Sequence, residues 1–239
     1  MSCERSEKPL GHKAYGHIPH LPGSRTGPSD HTVNDGQYRM CCETPARKND
    51  IVVLQEKVDG SNCSVARIGN SILALGRSGY LAQTSRFEMH HRFAAWVRDR
   101  EPLFLELLND GERVCGEWLA QAHGTIYEPQ VSNHLFRPFD IMRGTTDRLS
   151  TQTVLSACLP CGFLPVNTMY RGAAPVTIPA ALDMLESDVL NLKPREGLRE
   201  GCVWRVERDG KTILLAKYVR PEKVDGIYLD DTLWQEVAS

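Results

Sequence analysis

The chain has 239 residues, which is enough for one substantial hydrophobic core or at most two small ones. Its 28 basic residues nearly balance its 30 acidic residues, which excludes a protein that attracts nucleic acid by overall charge, but not one that holds a strand end in a local groove. The sequence contains no apolar run of about 18 residues and no signal-peptide core, so we predict a cytoplasmic protein without a membrane partner.

The first part of the chain differs in composition from the rest. Residues 1–47 are rich in proline, glycine, serine and histidine, and we predict an irregular N-terminal segment packed on a domain formed by residues 48–239. From residue 51 the pattern is typical of β-structure. Residues 51–56 form a predicted strand, and a predicted hairpin joins strands 63–68 and 72–75.

Helices and strands follow one another along the remainder of the chain. Ser85 is suited to cap the first helix, and Pro179 is suited to the first turn of the last, in which Leu182, Leu185 and Val189 are expected to face the core. The predicted elements after residue 80 are helices over 85–97, 151–159 and 179–190, a second helical stretch ending at Asn109, and strands over 114–119, 135–141, 203–207 and 212–218.

The eight cysteines are scattered, and without a secretion signal we expect reduced thiols rather than disulfides. Cys158 and Cys161 have the spacing of metal ligands, but no second pair follows at a zinc-ribbon distance. Buried thiols at the end of a helix are therefore favoured over a zinc site, although Cys41, Cys42 or a histidine could complete one in space.

A lysine within the run Glu56-Lys57-Val58-Asp59-Gly60-Ser61-Asn62 is the main candidate for a nucleophile. A lysine nucleophile needs a neutral amine, so we expect burial or nearby positive charge to lower the pKa of Lys57. Gly60 would let the backbone approach a phosphate group without a Cβ in the way. Taken alone, the run would be interpreted as a lysine entering an ordinary Asp-Gly turn.

Five further short motifs follow the lysine in a fixed order. They are Gly76-Arg77-Ser78-Gly79, Cys115-Gly116-Glu117-Trp118, Phe136-Arg137-Pro138-Phe139-Asp140-Ile141, Glu200-Gly201-Cys202-Val203-Trp204-Arg205 and Leu215-Ala216-Lys217-Tyr218. The alternation of residues 114–119 also places Glu117 on a face that should be buried, where a carboxylate is unexpected in a purely structural strand.

This succession resembles the polynucleotide ligase and mRNA-capping superfamily of covalent nucleotidyltransferases, over residues 50–223. A glutamate directly before the lysine, with Gly-Ser-Asn behind it, resembles the ATP-dependent RNA ligases of the phage and RNA-editing type. DNA ligases usually carry the glutamate where this chain has Gln55, and capping guanylyltransferases more often have threonine in place of Glu56. The resemblance implies an α+β nucleotidyltransferase (adenylyltransferase) domain with antiparallel β-sheets flanked by helices.

The resemblance implies that five residues hold the nucleoside of ATP. Glu56 would accept a hydrogen bond from the adenine amino group, and Phe139 would stack on the base, although a strand phenylalanine is more often a core residue. Arg77 and Glu117 would contact the ribose hydroxyls. Asn62 would help to place the nucleotide and a 5′-phosphate.

On the phosphate side, the resemblance implies that Lys57 bonds to AMP and that Glu200 binds Mg²⁺, with Mn²⁺ as an alternative. Lys217 would neutralise the α-phosphate and help to lower the pKa of Lys57. Arg205 is a weaker candidate, because charged residues are common at strand ends. Glu200 also lies in a charged run, where an ordinary exposed residue is expected.

Two features depart from the family pattern. Many relatives have a second lysine two positions after Lys217, where this chain has Val219, so Arg220 or Lys223 would have to substitute. The sequence after Lys217 is also too short for an OB domain or a helical C-terminal domain, so we expect a bare nucleotidyltransferase domain.

The predicted activity is ATP-dependent RNA ligation in RNA repair. Lys57 would form a lysyl-AMP intermediate, the AMP would pass to a 5′-phosphate RNA end, and a 3′-OH would attack that end. The expected partner is RNA with such ends, and a kinase or phosphatase that prepares them is a further candidate partner. A DNA ligase, a capping-type guanylyltransferase and a noncatalytic nucleic-acid end-binding module are the alternatives.

Overall fold

The computed structural model describes residues 8–229, which form an α+β fold with two main antiparallel sheets. The helices are α1 (Asp35–Cys42), α2 (Glu88–Arg98), α3 (Glu101–Leu107), α4 (Thr151–Cys158) and α5 (Ile178–Ser187). The strands are β1 (Ile51–Lys57), β2 (Ser61–Ile68), β3 (Ser71–Gly76), β4 (Arg113–Trp118), β5 (Thr125–Tyr127), β6 (Phe136–Arg143), β7 (Asp147–Arg148), β8 (Thr168–Gly172), β9 (Pro194–Gly197), β10 (Gly201–Arg208) and β11 (Lys211–Val219).

One sheet has four strands in the order β11-β10-β1-β8, and the other has five in the order β3-β2-β4-β6-β7. Strands β5 and β9 form a separate two-stranded ribbon. Helices α1 and α5 pack on the four-stranded sheet around the buried Trp204, whereas α2, α3 and α4 pack on the five-stranded sheet around Phe93, Trp118 and Phe136. Each sheet therefore has its own hydrophobic core.

The predicted hairpins are confirmed. β2 pairs with β3, and β10 pairs with β11, both antiparallel. The second hairpin turns at Asp209 and Gly210, whose φ angles of 50° and 77° lie in the left-handed region that glycine and aspartate tolerate best. β1 also covers the strand predicted to run into the nucleophile.

The prediction that residues 1–47 are irregular is wrong over α1. The Asn34 side chain accepts from the Gln37 amide, and the Gln37 side chain accepts from the Asn34 amide, which is a complete capping box. The Asn-x-x-Gln spacing was therefore a usable helix signal, although the surrounding polar residues obscured it.

Two details of the predicted helices are also wrong. α2 begins at Glu88, and Ser85 lies before it, where its Oγ accepts from the Phe87 amide. α5 ends at Ser187, so Val189 lies beyond it with 93% of its surface exposed, whereas Leu185 is fully buried as expected.

The N-terminal segment, defined here as residues 8–34, is bound to both sheets. The Ala14 carbonyl accepts from Arg113 Nε at 2.7 Å on the five-stranded sheet. The Leu21 amide donates to the Lys217 carbonyl at 2.8 Å, and the Lys217 amide donates to the Pro19 carbonyl at 2.9 Å, on the four-stranded sheet. The segment therefore spans from one sheet to the other.

The seven cysteines in the described part of the chain are free and buried, including Cys158 and Cys161; Cys3 lies outside the described residues. Burial raises the pKa of Cys158 to about 12, and the nearby Cys161 adds to this increase. Within residues 8–229, no helix has both the length and the apolar composition needed to cross a membrane.

Candidate active site

A cleft of about 890 Å³ is lined by residues of both main sheets. All eight residues that the sequence singled out for the site line this cleft: Glu56, Lys57, Asn62, Arg77, Glu117, Phe139, Glu200 and Lys217. They come from six motifs spread over more than 160 positions, so only the fold brings them together. Residues of the N-terminal segment, among them Tyr15 and His17, also line the cleft.

Lys57 is the last residue of β1, where it pairs with Gly201 of β10. Its Nζ donates to Glu200 Oε2 at 2.6 Å. Burial alone would lower the pKa of Lys57, but the negative charges of Glu200, Glu117 and Asp59 outweigh it and the pKa is raised. The expectation of a lowered pKa is therefore wrong for these surroundings, because the carboxylates stabilise the charged amine.

Two glycines allow the backbone to close around Lys57. Gly201 has a φ of 155°, and a Cβ at this position would lie 1.9 Å from the Tyr218 carbonyl oxygen. A Cβ on Gly60 would lie 2.7 Å from the Trp118 carbonyl oxygen. The close approaches of β10 to β11 and of the turn after Lys57 to β4 therefore require residues without a Cβ.

Of the carboxylates beside Lys57, those of Glu200 and Asp59 are buried and that of Glu117 is half-buried. Burial raises the pKa of Glu117 to about 8, and Lys57 only partly opposes this increase. Burial likewise raises the pKa of Glu200, again opposed by Lys57. Asp59 accepts from the Gly124 amide at 2.8 Å. No group of three or more histidine, cysteine or acidic side chains within residues 8–229 is arranged as a complete metal site.

Glu56 and Asn62 each present an unused acceptor. Glu56 Oε2 accepts from the Leu192 amide at 3.0 Å, while its Oε1 is buried without a hydrogen-bond partner. Burial raises the pKa of Glu56 to about 7. Asn62 lies opposite Glu117 on the paired strands β2 and β4, and its Oδ1 is also buried without a partner. Buried acceptors of this kind are uncommon and indicate sites for a donor group.

Phe139 is half-buried on β6, at a bulge. Cys115 of β4 pairs with Asp140 and Gly116 pairs with Pro138, so Phe139 is the extra residue between them. Bulges turn a side chain away from the regular alternation of a strand, which accounts for the access of Phe139 to the cleft.

Two positively charged side chains, those of Arg77 and Lys217, also line the cleft. Arg77 is exposed after β3, and its Nη2 donates to the Gly16 carbonyl at 3.2 Å. Burial lowers the pKa of Lys217, and the positive charge of Lys57 lowers it further. This effect requires Lys217 to be near Lys57.

Neither proposed substitute for the second motif lysine lines the cleft. Arg220 pairs with Glu186 of α5. Lys223 is almost fully buried, with its Nζ 2.9 Å from Asp59 Oδ2. Both side chains are therefore committed to contacts within the protein.

The sequence did not single out two further residues that line the cleft, His123 and Tyr15, whereas the weaker candidate Arg205 lines it as well. His123 Nε2 lies 2.7 Å from Ser61 Oγ, and both residues line the cleft. Tyr15 donates from its hydroxyl to Asp140 Oδ2 at 2.6 Å, and Arg205 Nη1 donates to Asp140 Oδ1 at 2.7 Å. No periodicity or spacing marks His123 or Tyr15, because both lie in irregular segments.

A sequence model of the RNA ligase family matches residues 50–219, well over half of the chain. The chain therefore belongs to the RNA ligase family. No curated protein matches it.

Three solved structures to which this chain is similar are described by their identity, coverage and TM-score. A candidate ATP-dependent DNA ligase from Aquifex aeolicus superposes with a TM-score of 0.51 at 20% identity, covering 86% of this chain and 49% of that one. An archaeal ATP-dependent RNA ligase gives a TM-score of 0.48 at 20% identity, with coverages of 71% and 42%. A mutant Naegleria gruberi RNA ligase with ATP and Mn gives a TM-score of 0.48 at 18% identity, covering 73% of this chain and 51% of that one. The chain spans about half the length of these proteins or less.

Proposed function

We propose that this chain is the nucleotidyltransferase part of an ATP-dependent RNA ligase and that Lys57 becomes covalently linked to AMP. The observation that carries the proposal is the convergence of eight motif residues in one cleft around the Lys57 amine. Membership of the RNA ligase family supports the choice of RNA as the strand that is sealed.

The unused acceptors fit the nucleoside of ATP. The free Oε1 of Glu56 would receive the adenine amino group, and Phe139, at its bulge, would provide the stacking surface. Arg77 and Glu117 would hold the ribose hydroxyls, while the free Oδ1 of Asn62 would accept from the nucleotide or the RNA end. A base that presents a carbonyl in place of the amino group would meet the acceptor of Glu56 and be disfavoured.

The carboxylates beside Lys57 fit a divalent cation such as Mg²⁺ or Mn²⁺. Glu200 would hold it, because these cations are commonly bound by one or two carboxylates together with phosphate oxygens and water. Such a cation would neutralise negative charge on the carboxylates and on the phosphate oxygens.

The proposed chemistry begins at Lys57. Glu200 takes one proton from the Lys57 ammonium, and the neutral Nζ attacks the α-phosphorus. The P–N bond forms as pyrophosphate departs, and the nitrogen releases its second proton to water to leave lysyl-AMP. Lys217 stabilises the negative charge on the α-phosphate oxygens. The 5′-phosphate of RNA then displaces the lysine to give an adenylylated end. A 3′-OH attacks that end and releases AMP.

Incubation with α-labelled ATP, and separately with α-labelled GTP, tests the proposal. We expect label from ATP, but not from GTP, to remain on the protein after denaturing electrophoresis. RNA with a 5′-phosphate should then remove the label, and RNA with a 5′-OH should not. Labelling by GTP would favour a capping-type guanylyltransferase, and discharge by nicked DNA alone would favour a DNA ligase.

A noncatalytic module that binds nucleic-acid ends is a second candidate function. It is favoured by the engagement of Arg220 with Glu186 and of Lys223 with Asp59, because neither side chain is left to replace the second motif lysine. Binding of 5′-phosphate RNA without any labelling by ATP would support this candidate over the ligase.

A further inference from the structure

Phe139 lies at a point where the backbone of β6 is not held by its neighbouring strand. The shift in pairing between Cys115 and Gly116 leaves Phe139 without a partner on β4. A bulge residue has polar backbone groups outside the ladder, and its side-chain direction depends on what else binds it. Contacts to this bulge from outside β4 therefore contribute to the orientation of the Phe139 ring in the cleft.

Three side chains from outside β6 contact the bulge. Arg205 Nη2 donates to the Phe139 carbonyl at 2.9 Å, and Arg205 Nη1 donates to the neighbouring Asp140. The hydroxyl of Tyr15 donates to the other oxygen of the Asp140 carboxylate at 2.6 Å. Arg148 Nε lies 3.4 Å from the same oxygen. Asp140 is fully buried, so these contacts take place away from water.

Tyr15 also contacts the Phe139 ring directly. The two ring centroids are 5.0 Å apart, with an angle of 67° between the ring planes, which is the edge-to-face geometry that aromatic pairs prefer. Tyr15 is only 3% exposed. Its backbone is fixed as well, since its amide donates to the Arg77 carbonyl at 3.2 Å.

We propose that Tyr15 of the N-terminal segment is a positioning residue for the nucleotide site, which holds the Phe139 ring and the bulge that carries it in the orientation that receives a flat base. The inference rests on the proposed function, since it assigns Phe139 to the base of ATP. Through Tyr15, the N-terminal segment would form part of the nucleotide pocket in addition to packing on the two sheets.

The test compares Tyr15→Leu, which removes the ring and the hydroxyl, with Tyr15→Phe, which keeps the ring. Tyr80→Phe is the matched control, because Tyr80 is 40% exposed and does not line the cleft. We expect Tyr15→Leu to raise the KM for ATP in covalent labelling about tenfold with kcat changed by less than about twofold, and Tyr15→Phe to recover most of the loss.

Calorimetric binding of ATP and of tripolyphosphate separates positioning from a general loss of structure. Tyr15→Leu should weaken the binding of ATP by about the same factor as it raises KM. It should leave the affinity for tripolyphosphate unchanged, because only ATP carries a base. Equal weakening of both, or a KM equal to that of the unchanged protein, would contradict the inference while the proposed function stands. Failure of the unchanged protein to bind ATP would contradict both.

Discussion

The two oxygens of the Glu56 carboxylate have different surroundings. Oε2 accepts from the Leu192 amide, whereas Oε1 is buried without a partner. Burial raises the pKa of Glu56 to about 7, although the Leu192 hydrogen bond and the charges of Arg199 and Arg137 oppose the increase. Folding therefore stabilises the protonated form of this side chain relative to the unfolded chain.

This shift predicts how Glu56→Gln changes the pH dependence of stability. Because the folded pKa of about 7 lies above the ordinary value of 4.5, the folded state binds more protons between these pH values, and stability falls as pH rises through that window. The decrease in the free energy of unfolding that ionisation of Glu56 causes is roughly 3 kcal/mol. Urea unfolding from pH 4.5 to 8 should show this decline in the unchanged protein and a flatter curve in Glu56→Gln.

Glu128→Gln is the matched control, because Glu128 is 46% exposed and pairs with Lys193 at the surface. Its curve should follow that of the unchanged protein. Parallel curves for Glu56→Gln and the control would show that Glu56 ionises normally in the folded protein.

At the scale of elements, the site depends on how closely β10 approaches β11 beside Glu200. Gly201→Ala would place a Cβ 1.9 Å from the Tyr218 carbonyl oxygen, at a φ of 155° that other residues rarely adopt. We expect it to lower the free energy of unfolding by about 3 kcal/mol or more and to abolish labelling by ATP, because Glu200 and Lys57 would be displaced.

Gly210→Ala is the control, because it introduces backbone strain without the steric clash expected of Gly201→Ala. Gly210 lies in the same hairpin at a φ of 77°, and a Cβ there would meet nothing within 4 Å. It should lower the free energy of unfolding by only about 1 kcal/mol and preserve labelling. Urea unfolding and labelling of both variants provide the measurement, and equal effects would show that the approach at Gly201 is not tight.

The elements that sequence patterns predicted well are those with strong local signals. β1, the two hairpins and the core-facing Leu185 follow from apolar alternation, turn residues and helical spacing. β5, β7, β8 and β9 were not predicted, since strands of two to five residues carry too little periodicity and are defined by their partners. Ser85 shows that a capping residue type without its local geometry does not fix where a helix begins.

For the candidate site, the sequence predicted which residues meet but not the charge balance among them. Short motifs named the eight residues that line the cleft. The raised pKa of Lys57 depends on distances to Glu200, Glu117 and Asp59, which lie on different elements. Tyr15 was missed for the same reason, because its role arises from contacts with Asp140 and Phe139 across more than 120 positions.

At the scale of the whole molecule, residues near both ends of the described chain contact one another and the lysine motif. Lys223 pairs with Asp59 and donates to the Leu198 carbonyl at 2.9 Å. Arg25 binds the Lys223 carbonyl and lies 3.4 Å from Asp225. The buried pair of Lys223 and Asp59 thus links the last described residues to the turn after Lys57.

Lys223→Met should be strongly destabilising, because it leaves the Asp59 carboxylate buried without its cation. Loss of one partner of a buried pair costs about 3–5 kcal/mol. Lys193→Met, at a pair whose lysine is 72% exposed, should change the free energy of unfolding by less than about 1 kcal/mol. Urea unfolding of both variants checks this, and Asp59→Asn added to Lys223→Met should recover part of the loss. Similar small effects at both lysines would contradict the account of this pair.

If Lys57 carries AMP, mass spectrometry of the intact and digested protein will detect the adduct and its position. After incubation with ATP and Mg²⁺, we expect the mass to increase by one AMP and the adduct to map to Lys57. Lys57→Ala should show no adduct but still seal RNA that is already adenylylated, whereas Lys193→Ala should form the adduct normally. An adduct on another residue, or one that persists in Lys57→Ala, would contradict the account.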